Sequence, residues 1–379
     1  MWPRVRKAKV SVARLCLQFL AGCREHNIAP CRGQCSEQLV PPCSQVAMTA
    51  GRPPSRCLQA LRLALTLLAA ALHSALSVVK STYRLLRPQP AKSLAGEVVL
   101  VTGAGRGIGR RVALEFWAQG CTVVCVDDDE ASSRLTARHI NERHRRRLAA
   151  AGCALAEGSG PAHAYSCDVR DRDQVAQLAR RVLGDLGRVD ILVNNARVMP
   201  TLQAPPSEVV DDVNLHLLSH FWTLLAFLPG MVQRRHGHVV AISCVAGLRG
   251  LADKGPHSAS KHAVTGLLDA VAEELQLDPQ HVKLTCAHPY LLHPEQLDLR
   301  IPQLSARHAA RQIVDAVRHD LETVTVPRNL HFWLNVFRTL PQDARDVWRD
   351  VFQARGVSPQ GVSSPAAYSI VHPSGGVKT

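Results

Sequence analysis

A chain of 379 residues with 46% hydrophobic side chains has apolar material for one large domain with extras, or for two domains. Its formal net charge of +14 is unevenly placed: residues 1–92 hold 14 Lys/Arg against two acids, Glu25 and Glu37, and the remainder is near neutral. No recognised nucleic-acid motif accompanies the basic arm, so no nucleic-acid partner is expected; the arm adjoins a hydrophobic segment, which favours an anionic membrane surface instead.

Residues 1–57 show no periodicity and contain Pro30, Pro41, Pro42, Pro53 and Pro54, so a basic, Cys/Pro-rich disordered arm is expected. Met48 offers an alternative start within it. Six of the 12 cysteines lie here: Cys16, Cys23, Cys31, Cys35, Cys43 and Cys57. Their spacing matches no zinc pattern and His26 lacks a paired ligand, so no metal site is expected. The other six stand mostly at apolar positions, such as Cys121 and Cys125, and read as reduced core cysteines of a cytosol-facing domain.

Residues 58–79, LQALRLALTLLAAALHSALSVV, reach the roughly 20 apolar residues that a membrane helix needs. Arg62 can snorkel from one end, while His73 sits well inside. Basic residues flank both sides (Arg52 and Arg56, then Lys80, Arg84 and Arg87), so loop charge does not fix an orientation. A span and a shallow monotopic helix both fit. Pro88 and Pro90 then form a short stiff linker.

An α/β unit is expected over 93–327. Residues 98–101 form a short apolar strand, followed by Gly103-Ala104-Gly105-Arg106-Gly107-Ile108-Gly109 and a helix over 110–118. That order is the layout of a dinucleotide site. Gly103 permits the turn, Gly107 lets the backbone approach a pyrophosphate, and Gly109 lets helix and strand pack closely. The phosphates then meet free N–H groups at the helix start. Further strands are expected at 122–126, ending at Asp127, and at 163–166, before Asp168. Others follow at 191–193 (ending in Asn194-Asn195-Ala196), 238–242, 282–287 and 324–326. The intervening helices include an arginine-rich one with a solvated face, one over 171–186, one over 211–235 that Pro229 should bend or break, one over 258–277, and one capped by Ser305. Strands alternating with helices imply a Rossmann-like, doubly wound parallel sheet in a single domain. Residues 328–355 form an apolar-aromatic helical extension, and 356–379 a Ser/Pro/Gly-rich disordered tail.

Thr102 to Gly109, Asp168, Asn194-Asn195-Ala196, Asn214 and Lys261 together resemble the short-chain dehydrogenase/reductase family over roughly residues 94–327. The segment FWTLLAFLPGMVQRRHGHVVAISCVAGL, the hydrophobic N-terminus and the aromatic C-terminal helix are similar to its membrane- or lipid-droplet-associated branch of epidermal retinol dehydrogenases and 17-beta-hydroxysteroid dehydrogenases. The resemblance implies a membrane-associated oxidoreductase of hydrophobic alcohols or ketones, retinoid- or steroid-like. It further implies a place on the endoplasmic reticulum membrane or lipid droplet, a cytosol-facing catalytic domain, and homodimers in many members. Gly103, Arg106, Gly107, Ile108, Gly109, Asp127, Asp168, Asn195, Ala196 and Lys261 take the cofactor-binding positions. Asp127 would accept hydrogen bonds from ribose hydroxyls and repel a 2′-phosphate, favouring NAD over NADP, a preference that Arg106 tempers.

The catalytic positions depart from the family's Asn–Ser–Tyr–Lys set. Asn214 and Lys261 match, but His257 stands at the tyrosine and Cys244 at the serine. Adjacent Ser243 should face the other side of its strand. Arg197 replaces a usual glycine, and Tyr290 and Pro294 replace a glycine and a threonine. Imidazole, with a reference pKa of about 6.5 against about 10 for tyrosine, exchanges protons near neutrality without a large shift. Its reach is shorter than a phenol's, Lys261 opposes its protonation, and a thiol is a weaker partner than a hydroxyl. Two expectations therefore stand together: turnover through His257, or a protein that holds the dinucleotide at a membrane or lipid droplet without turnover.

Overall fold

The computed structural model describes residues 90–152, 160–195, 205–251, 254–277, 282–290 and 305–344, with nine positions between 65 and 76. The chain divides into two units, Met1–Ala91 and Lys92–Thr379. In the first, the nine described positions are helical, and Leu65, Leu68, Leu72 and Leu76 are exposed. Their spacing of three and four places them along one face of that helix. The rest of 58–79, the arm 1–57 and the tail 356–379 lie outside the described residues.

In the second unit the first strand, β1 (Val98–Thr102), is VVLVT and is buried at every position. Helices cover both faces of its sheet, so the strand carries an unbroken apolar run instead of an alternating one. Strands β2 (Thr122–Asp127), β3 (Ala162–Ser166), β4 (Ile191–Asn194), β5 (Gly237–Ile242), β6 (Val282–Pro289) and β7 (Thr323–Val326) complete seven strands. Their order is β3-β2-β1-β4-β5-β6-β7, and every pairing is parallel. The chain builds outward from β1 in one direction, then returns to build in the other. The carboxyl ends of β1 and β4 therefore flank a switch point, where open sheets of this kind take their ligands.

One face is covered by α1 (Gly107–Ala118), α2 (Glu130–Ala150) and α7 (Ala306–Arg318). Phe116, Ile140, Ile313 and Val317 pack there on Val99 and Val101. The other face carries α3 (Arg172–Leu186), α4 (Pro206–Val213), α5 (Ser219–Arg234) and α6 (Gly255–Leu277). Leu178, Val182, Leu224, Phe227 and Met231 close over Leu100 and Leu192. Asp129, Asp171 and Ser305 cap α2, α3 and α7 by accepting backbone N–H bonds with their side chains. The arginine-rich face of α2 is largely exposed, although Arg147 lays its guanidinium 4.2 Å above the Trp117 ring.

Two helices differ from the sequence expectation. Pro229 does not end its helix: α5 runs through it to Arg234, because Phe227, Leu228 and Met231 are anchored in the core. The irregularity lies earlier, in a π-helical turn at Asn214–Leu218 between α4 and α5. Together Pro206–Arg234 is long and apolar enough to cross a membrane, but it packs against the sheet. Helix α6 begins at Gly255, three residues before the expected start, which puts His257 in its first turn. Of the C-terminal extension, α8 (Leu330–Thr339) is described; Leu334 is buried, and Phe332 and Trp333 are exposed.

Candidate active site

The loop after β1 is shaped by its glycines. Gly103 and Gly107 adopt φ of 61° and 57°, a left-handed conformation that side chains disfavour. A Cβ at Gly109 would stand 2.0 Å from the Gly103 carbonyl oxygen, and one at Gly103 would stand 2.2 Å from the Asn195 carbonyl oxygen. Gly105 donates its N–H to Asp127 Oδ2 at 2.7 Å, joining the loop to the end of β2. Burial, with Asp128 adding to it, holds the Asp127 carboxyl above its ordinary range, against the N–H bonds from Gly105 and Asp129. The Arg106 guanidinium turns outward to Asp129 at 2.8 Å. Ile108 is buried at the start of α1. A turn this close to backbone, a helix N-terminus behind it and a carboxylate at the tip of β2 fit a dinucleotide.

Asn195 works on the loop itself: its Nδ2 donates to the Thr102 and Gly103 carbonyls, both at 3.2 Å. Asp168 follows β3 with its carboxylate tied to the Arg170 guanidinium at 2.8–3.0 Å. That guanidinium holds the Asp168 carboxyl below its usual range. Ala196, Arg197 and Pro294 lie outside the described residues.

The second cluster forms where α4, the π turn and α6 meet beyond β5. Cys244 stands two residues past the end of β5, and its carbonyl oxygen lies 3.0 Å from His288 Nδ1, which therefore carries the proton. Ser243 faces elsewhere, as alternation requires: its hydroxyl donates to the Lys261 carbonyl at 3.2 Å. Lys261 is buried one turn after His257, with Nζ 3.5 Å from the Ile242 carbonyl. Asn214 opens the π turn, against which α6 packs.

Asp212 is fully buried; Ser260 Oγ donates to its Oδ2 at 2.7 Å. Its Oδ1 lies 3.7 Å from His257 Nδ1 and 3.4 Å from His216 Nε2. The His216 and His257 rings meet edge to face at 5.0 Å. Asp212 Oδ1 and both ring nitrogens of His257 are buried with no hydrogen-bond partner among the described residues. Burial works against charge on His257, but Asp212 and Cys244 outweigh burial and Lys261 and raise its pKa. Burial likewise pushes the Cys244 thiol up, yet the His257 ring, the Ala246 N–H and the Lys261 ammonium bring it below the ordinary value. His220, also fully buried, is driven down to about 3 by burial and Lys261.

The structure thus brings Cys244, His257 and Lys261 together and adds Asp212 and His216, which the sequence reading did not select. Their four-residue spacing on a helix was the available signal.

A glycine-cradled helix start at a sheet switch point, with a buried histidine and a buried lysine one turn apart beyond β5, is the layout of a Rossmann-type dinucleotide fold. Residues 97–298 match the model of the short chain dehydrogenase family, and the chain belongs to that family. It is similar to human retinol dehydrogenase 10, with 33% identity over 285 residues, covering 69% of this chain and 83% of the relative. It is also similar to human 17-beta-hydroxysteroid dehydrogenase 13, with 30% identity over 276 residues, covering 71% and 87%. In fold it matches a short chain dehydrogenase/reductase from Burkholderia phymatum, solved in complex with NAD. The TM-score is 0.54 at 21% identity, covering 65% of this chain and 94% of that one.

Proposed function

We propose that this protein is a membrane-associated oxidoreductase of a hydrophobic alcohol or ketone, retinoid- or steroid-like, that uses NAD. The observation that carries the reading is the Asp212–His257 pair, set one helical turn before buried Lys261. The dinucleotide, when bound, accepts or supplies hydride. His257 exchanges the proton of the substrate oxygen, and Asp212 holds charge on its ring in the place a phenol occupies in relatives. Lys261 and Asn214 support the cofactor side, and Cys244 borders the reacting oxygen. Asp127, Asp168, Asn195 and the loop from Gly103 to Gly109 hold the adenosine and pyrophosphate end.

Asp127 favours NAD, since its carboxylate opposes a 2′-phosphate and Arg106 is engaged with Asp129. The exposed leucine row at Leu65, Leu68, Leu72 and Leu76 supports attachment to an endoplasmic reticulum or lipid-droplet surface, with the domain in the cytosol. The names of the relatives support the substrate class.

A second reading rests on the enclosure of His257, which is only 2% exposed: the protein holds the dinucleotide without turnover. One experiment separates the two. NADH formation from retinol and steroid alcohols is compared in the wild type, His257→Ala and the His257→Tyr/Cys244→Ser double variant. Wild-type turnover that His257→Ala abolishes supports the oxidoreductase. A silent wild type beside an active double variant supports the second reading, and the absence of NADH binding overturns both.

A further inference from the structure

A buried carboxylate oxygen without a hydrogen bond is costly, and such groups call for an explanation such as an ion. Among the described residues Asp212 Oδ1 has no hydrogen-bond partner, and neither ring nitrogen of His257 has one. All three groups that converge here are of ligand type: Asp212, His216 and His257 are buried, and their ligand atoms lie within 4.8 Å of one another. Bonds of about 2.1 Å place tetrahedral zinc ligands about 3.4 Å apart. The observed separations from Asp212 Oδ1 are 3.4 Å to His216 Nε2 and 3.7 Å to His257 Nδ1. The His216 and His257 ligand atoms lie within 4.8 Å of each other, so the three atoms surround a common point.

The local chain explains the geometry. Asp212 and His216 are four residues apart across the start of the π turn, and the first turn of α6 delivers His257 from a second element. Ser260 Oγ holds Oδ2 of Asp212 and leaves Oδ1 directed at the two imidazoles. An outer hydrogen bond of this kind is what fixes a ligating carboxylate. By contrast, the other such cluster among the described residues, Glu97, Asp190 and His236, is already tied by His236 to Glu97 at 3.0 Å and by Arg188 to Asp190 at 2.9 Å.

We propose that Asp212, His216 and His257 form a binding site for a divalent transition-metal ion of the zinc class, with three protein ligands and one open position. Two imidazoles and one carboxylate suit zinc or cobalt over the alkaline-earth ions, which prefer all-oxygen sites. Ligation requires neutral imidazoles, so binding displaces protons from the site. The ion and a proton then compete for His257 Nδ1. Binding does not depend on the oxidoreductase reading; inhibition of turnover by the ion does.

The test uses the full chain, stripped with chelator and titrated with Co²⁺ while visible ligand-field absorption is followed. Expected is a four- or five-coordinate spectrum without a thiolate charge-transfer band, lost in Asp212→Asn and His216→Gln. Ser260→Ala, which keeps all three ligands, is expected to weaken Co²⁺ binding about 10–100-fold. Circular dichroism and melting report whether each variant folds. A silent titration overturns the site, as does a spectrum carried by the N-terminal cysteines through a thiolate band. Unchanged binding in the folded ligand variants does the same. If those variants fail to fold, unchanged affinity in Ser260→Ala overturns it.

Discussion

Asp212 Oδ1 stands 3.7 Å from His257 Nδ1, with Asp212 fully buried and His257 nearly so. The attraction between them exists only while His257 carries its proton. Folding raises the His257 pKa, because Asp212 and Cys244 outweigh burial and Lys261. A raised group stabilises the fold fully below its unfolded value, about 6.5, and the contribution is lost as pH rises through the folded value. In chelator-treated protein, the melting-temperature gap between wild type and Asp212→Asn should be widest below about pH 6 and should close at alkaline pH. A gap independent of pH would refute the pairing.

The glycine loop yields a sharper binding prediction. A Cβ on Gly105 would meet Ser132 Cβ at 2.6 Å and Asp127 Oδ2 at 2.8 Å. Overpacking of this kind costs about 1–3 kcal/mol. Gly105→Ala should weaken NADH binding by about tenfold or more, equal to about 1.4 kcal/mol, while the domain still melts cooperatively. Fluorescence titration of NADH reads the change; wild-type affinity would show that the loop does not hold the dinucleotide.

The proposed preference for NAD rests on Asp127. Replacing it by Ala removes the carboxylate that opposes a 2′-phosphate. The ratio of NADPH to NADH dissociation constants should fall about tenfold. An unchanged ratio would place the discrimination elsewhere.

Thiol chemistry should be selective among the described cysteines. Burial pushes Cys121, Cys125, Cys167 and Cys286 up to about 12, with nearby carboxylates adding to it. Cys244 moves the other way, as His257, the Ala246 N–H and Lys261 overcome its burial. The thiolate is the reactive form, so iodoacetamide at neutral pH should label Cys244 first of the five. Peptide mass mapping measures this, and His257→Ala should slow that labelling.

Core packing sets the last expectation. Phe116 is fully buried between α1 and the sheet. Phe116→Ala should cost about 3–5 kcal/mol, read by denaturant unfolding of the domain.

The sheet was legible because its strands are apolar runs with a glycine loop at a fixed place after the first. The glycine loop was legible for the same reason: Gly103, Gly107 and Gly109 are demanded by backbone geometry, which sequence spacing encodes. The pocket beyond β5 was legible only in part. The family's spacing selects Cys244, His257 and Lys261, and the fold brings these three together. The four-residue spacing of Asp212 and His216 puts them on one helix face, but their meeting with His257 depends on α6 packing against α4 and the π turn, a contact between segments more than forty residues apart. Pro229 does not break its helix for a related reason: tertiary packing of Phe227 and Met231 offsets its local cost. The π turn at Asn214 had no sequence signal.

Asn195 gives the last consequence. By donating to the Thr102 and Gly103 carbonyls, and its N–H to Thr102 Oγ1 at 2.9 Å, it stitches the tip of β4 to the turn after β1. The two halves of the sheet are thereby fastened where they diverge. Three hydrogen bonds from within the chain hold the shape of the loop. Association then resembles a key entering a cut lock, with little chain entropy left to lose at the moment of capture.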